Sequence, residues 1–66
     1  MIHVITRFNK NTSHPYGIQF QDTLLLPVGV IAWCKEQFKD DNWRYLSRSV
    51  WFNNEADRNW FILRWS

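Results

Sequence analysis

The chain has 66 residues, 45% of them hydrophobic and 18% aromatic, with eight Lys+Arg against six Asp+Glu for a net charge of +2. A chain this short forms one domain at most and buries only about 60% of the surface its unfolded form exposes, while so many aromatics exclude a disordered polypeptide. One cysteine and two histidines exclude a disulfide framework and leave too few ligands for a structural zinc site, and no apolar run approaches the roughly 20 residues of a membrane span.

From the start, Ile2, Val4, Thr6 and Phe8 alternate with His3, Ile5 and Arg7, a period of two that predicts a β-strand. Residues 9–15 are polar and end in Pro15, a loop by composition and the segment expected to be most mobile. Tyr16, Ile18 and Phe20 then alternate with Gly17, Gln19 and Gln21, predicting a second strand that pairs back on the first. The run Leu24-Leu25-Leu26 has no period and reads as a connector. Pro27 suits the first position of a helix. Val28, Ile31, Cys34 and Phe38 follow at helical spacing, so an amphipathic helix of about 13 residues is expected to end near Asp40-Asp41-Asn42.

Residues 43–52 return to alternation and read as one strand, with Leu46, Val50 and Phe52 on one face beside Arg48, and Tyr45, Ser47, Ser49 and Trp51 on the other. Asn54 followed by Glu55 and Asp57 forms a helix start: Asn caps, and acids suit the positive end of the dipole. Ala56, Trp60 and Leu63 continue at helical spacing. A strand over residues 60–65 is the competing reading, because Phe61, Leu63 and Trp65 also alternate. The fold class expected is α+β, a single domain over residues 1–66 with an antiparallel sheet of about three strands and two helices (β-β-α-β-α) packed on one face.

Residues 52–65 have the form F-x-N-E-x-D-x-x-x-F-x-L-R-W, carried by Phe52, Asn54, Glu55, Asp57, Phe61, Leu63, Arg64 and Trp65. This stretch resembles the ends of short proteins of tailed bacteriophages, in which a strand feeds through an Asn-acid turn into a terminal helix. The resemblance implies a phage origin and a small α+β fold, and brings no activity with it.

No residue pattern points to catalysis. Cys34 falls on the apolar row of the first helix, where a free thiol packs as a small hydrophobe. Gly17 and Gly29 are isolated, so no phosphate-cradling loop is present. The acids Glu36, Asp40 and Asp41 read as solvated helix-end groups. A non-enzyme with no cofactor and no metal is expected. The start Met1-Ile2-His3-Val4 lacks the basic and apolar regions of a secretory signal, so a soluble protein of the cytoplasm is expected, that of the host cell if the chain is phage-encoded.

Five Trp, five Phe and two Tyr are more large rings than a core of this size encloses. The surplus predicts a contact surface, because Trp, Tyr and Arg dominate the energetics of interfaces. The candidate partner-binding residues are Tyr45, Trp51, Arg44, Arg48, Trp43 and Trp33. A protein-interaction module follows, binding a second copy or a host or phage protein. The alternative is a single-stranded nucleic-acid binder, with rings stacking bases and Arg7, Arg44 and Arg48 meeting phosphates; scattered basic charge and the nearby acids weigh against it. No membrane partner is expected.

Overall fold

A computed structural model describes residues 3–65. The protein is α+β: a four-stranded antiparallel sheet carries two helices, the strands running in the order β1 (Val4–Phe8), β2 (Tyr16–Phe20), β4 (Ser49–Phe52), β3 (Trp43–Leu46) across it. Helix α1 (Val30–Gln37) and a 3₁₀ turn at Asp40–Asn42 connect β2 to β3, and helix α2 (Glu55–Trp65) follows β4. The first two strands are those expected from alternation, paired from Val4↔Phe20 to Phe8↔Tyr16. Ile2, expected to open the first of them, lies outside the described residues.

The segment expected as one strand over residues 43–52 is a hairpin, which makes the sheet four-stranded rather than three-stranded. Leu46 pairs with Ser49 across a two-residue turn, Ser47-Arg48. Ser47 supplies the positive φ (53°) that such turns need. Glycine or asparagine ordinarily marks that position, and neither is present. The turn also changes which side chains share a face. Tyr45 pairs with Val50, and Arg44 pairs with Trp51. Tyr45 and Trp51 therefore lie on opposite faces of the sheet, not on one as the uninterrupted strand implied.

The first helix is shorter than expected and starts later. Val30 N–H donates to the Pro27 carbonyl at 3.2 Å, and Gly29 holds φ 92° and ψ −14°, the geometry of a type II turn with glycine at its third position. The helix therefore begins at Val30. Its buried row is Val30, Cys34 and Phe38, while Val28, expected on that row, is 99% exposed. The chain leaves the helix at Phe38, whose extended backbone (φ −127°, ψ 151°) separates it from the 3₁₀ turn.

At the second helix the capping signal is realised. Asp57 N–H donates to Asn54 Oδ1 at 2.8 Å, and Asn54 Nδ2 donates to Asp57 Oδ2 at 3.1 Å. Glu55 pairs with Arg58 one turn on. The competing strand over residues 60–65 does not form; those residues belong to α2. Asn54→Ala removes the acceptor for an otherwise orphaned helix N–H and is expected to lower stability by about 1 kcal/mol, most of it restored by Asn54→Ser, in urea unfolding.

Alternate residues of the sheet pack under the helices. Ile18, Phe20, Val50 and Phe52 from the central strands meet Val30, Cys34 and Phe38 from α1 and Phe61 from α2. Phe61 is fully buried, within 5.6–6.0 Å of the Phe52, Trp33 and Phe20 ring centroids. Burial pushes the Cys34 thiol up to about 12, so it stays protonated at neutral pH and packs as a small apolar group.

Candidate functional site

Strand parity sorts the side chains into two faces. The helix-covered face takes Trp43, Tyr45, Val50 and Phe52; the opposite face takes Ile5, Arg7, Gln19, Arg44, Leu46, Ser49 and Trp51. Neither helix covers that second face, since the buried cluster joining sheet and helices draws on the other set of strand positions.

Trp51 is the structural centre of the uncovered face. Its register partner on β2 is Gly17. A Cβ built on Gly17 would fall 2.5, 2.6 and 2.7 Å from three consecutive carbons of the indole. Nearly equal distances to three ring atoms place the indole face-on over the Gly17 backbone. Glycine in a strand interior ordinarily weakens the strand; here it lets a ring lie flat across the sheet. Gly17 is buried beneath that ring, and Trp51 itself is half-buried.

Arg44 stands beside Trp51 on β3, and Leu46, two residues on, is 71% exposed. Toward the other edge, Arg7 Nη1 donates to Gln19 Oε1 at 3.1 Å. Arg7 and Arg44 are the only charged residues in any strand among the described residues. The six carboxylates sit on Asp22, Glu36, Asp40, Asp41, Glu55 and Asp57, all in helices, turns or connections. The strands thus hold two of the eight Lys and Arg and none of the carboxylates, while Asp40 borders a second cavity together with Arg44, Lys35, Trp43 and Tyr45.

The loop over residues 9–15 forms a wall next to this face. Asn9 N–H donates to the Pro15 carbonyl at 2.9 Å, and His14 N–H donates to Thr12 Oγ1 at 3.0 Å. The His14 ring is buried and reaches the 3₁₀ turn, its Nε2–H donating to the Asp41 carbonyl at 2.8 Å. A carbonyl only accepts, so Nε2 carries the hydrogen; the Ser13 hydroxyl lies 2.9 Å from Nδ1. A groove of about 320 Å³ is lined by Asn9, Thr12, Ser13 and His14 of this loop and by Arg44, Tyr45, Leu46 and Trp51 of the hairpin.

The six expected partner-binding residues are therefore not one cluster. Arg44 and Trp51 are brought together on the uncovered face. Arg48 sits in the hairpin turn, its carbonyl accepting from Phe20 N–H at 2.9 Å. Trp43 is buried on the helix side, stacked on Tyr45 (5.9 Å between centroids, 26° between planes), and Tyr45 is exposed beside the β3 edge. Trp33 belongs to a ring cluster of the helical layer with Phe38, Trp60, Phe61 and Trp65. Sequence reasoning missed Gly17 and the 9–14 wall. An isolated glycine in an alternating strand was the available signal for a close approach.

The surplus of rings is real in the folded chain. Phe20, Phe38, Trp43, Phe52 and Phe61 are buried; Tyr16, Trp33, Trp51 and Trp65 are half-buried; Phe8, Tyr45 and Trp60 are exposed. No helix among the described residues is long and apolar enough to cross a membrane. Comparison with protein-family models, with curated proteins and with solved structures finds no match.

Proposed function

We propose that this protein is a non-catalytic interaction module that holds an anionic partner against the uncovered face of its sheet. The observation that carries this reading is an open sheet face bearing Arg7, Arg44 and Trp51, with no carboxylate in any of the strands. A cationic face with an apolar centre attracts acidic surfaces and offers Trp and Arg, the commonest anchors of interfaces. The partner is a protein with an acidic segment or a single-stranded nucleic acid, and the flat indole over Gly17 favours the second. A second copy is a poor occupant of this face. Two-fold pairing puts the same patch on both sides, so cations would meet cations. The likeness of residues 52–65 to short tailed-phage proteins supports a phage accessory protein working in the host cytoplasm as the setting.

Heparin chromatography tests the face with a generic polyanion. The protein is expected to bind at low salt, and the double variant Arg7→Glu/Arg44→Glu to elute at clearly lower salt. The variant Lys39→Glu/Arg64→Glu makes the same change in net charge outside the sheet and should move elution less. Equal shifts in the two variants would sink the assignment to this face.

A further inference from the structure

Resting on the anionic-partner reading above, we infer that the groove beside Trp51 takes one unstacked base of a single-stranded nucleic acid, with the indole as its stacking platform and Arg44 meeting the adjoining phosphate. Three features point to this partner over an acidic polypeptide. First, the indole is presented flat and already ordered: Gly17 occupies one ring face at a distance that leaves no room for even a methyl group. An acidic segment uses the indole only as apolar contact area and has no need of a flat π-face. A base uses it fully, since every base has a π-face, and the ring's position is fixed before binding.

Second, the groove has the size and lining for one nucleotide. At about 320 Å³ it lies at the small end of the roughly 300–1,000 Å³ range of ligand sites. Trp51, Tyr45 and Arg44 line it together with Asn9, Thr12 and Ser13, whose side chains carry groups able to hydrogen-bond a base edge. No carboxylate borders it. Third, Arg7 and Arg44 come from the two edge strands, so a strand crossing the sheet passes a cation on each side of Trp51. That order is cation, ring, cation, the pattern of a sequence-tolerant single-strand track.

Fluorescence anisotropy with labelled oligo-dT of about ten nucleotides, a length within the 4–16 range of compact single-strand sites, is the direct test. Binding is expected at low salt, with log K falling against log salt at a slope of about −1.4, two phosphates at about −0.7 each. Trp51→Leu is expected to weaken binding about tenfold, the order of one lost base stack. Trp51→Phe, which keeps a ring, should retain an intermediate affinity, and thermal melts check that both variants fold. An oligo-Glu peptide should fail to displace the oligonucleotide, and a duplex of equal length should bind more weakly.

Oligonucleotide binding that is indifferent to both Trp51 variants, or equal for duplex and single strand, would overturn the inference and leave only electrostatic adhesion. No oligonucleotide binding at all, combined with face-dependent heparin retention, would also overturn it while leaving the anionic-partner reading in place for an acidic protein. Loss of both signals would remove both.

Discussion

Phe61→Ala is expected to cost about 3–5 kcal/mol, the usual range for emptying a buried phenyl site. Phe61 is the residue through which α2 is keyed to the sheet: it is fully buried and its ring meets those of Phe20, Phe52, Trp33 and Trp65. No other α2 side chain is as deeply buried, so nothing on the helix compensates for its loss. A 66-residue domain has about 3–10 kcal/mol of total stability at 0.05–0.15 kcal/mol per residue. The variant should therefore be partly or wholly unfolded at 25 °C, as read by far-UV circular dichroism and urea titration. Leu63→Ala, two residues along the same helix and 79% exposed, should change stability by no more than about 0.5 kcal/mol. A Phe61→Ala loss no larger than that of Leu63→Ala would mean that α2 does not dock as described.

Gly17→Ala is expected to destabilise by about 1–3 kcal/mol, through collision of one added carbon with the Trp51 indole. The contact atoms belong to the fused ring system near its attachment rather than to the tip of a flexible chain, so the whole side chain must swing away. The backbone at Gly17 is not in the left-handed region, so alanine meets no conformational strain there. That separates the two causes and makes a double-mutant cycle informative. In a Trp51→Ala background the collision partner is gone, and the same substitution should become neutral or stabilising by about 0.4–1 kcal/mol, the gain from a less flexible unfolded chain. A cost that persists unchanged in that background would show that the indole does not lie on Gly17. Because the ring is also the proposed stacking platform, Gly17→Ala should weaken oligo-dT binding along with Trp51→Leu, though Gly17 itself reaches no ligand.

The two halves of the interface question were unequally legible. The surplus of rings could be counted from the chain, and the exposure of Phe8, Tyr45 and Trp60 agrees with it. Which rings were surplus could not be counted. A strand's side chains alternate strictly, so the insertion of a two-residue turn reassigns every residue beyond it. Ser47-Arg48 carries neither the glycine nor the asparagine that favours a positive φ, and that φ at Ser47 is held by the ladder on both sides rather than by local preference. Tyr45 and Trp51 were parted by that turn alone.

Local chemistry by itself determined the β1 and β2 alternation, the polar loop between them, the Asn54 cap and the helix it starts, and the burial of Cys34. Each depends on residues within a few positions of one another, where spacing and capping act directly. Only the tertiary structure decided the hairpin, the stacking of Trp51 on Gly17 and the gathering of Arg7 and Arg44 on one face whose strands carry no carboxylate. These join residues 34 or more positions apart across the sheet, as in the Gly17↔Trp51 pair, or depend on a backbone angle only neighbouring strands can impose. The candidate site is of that second kind, because a sheet assembles its face from every strand at once.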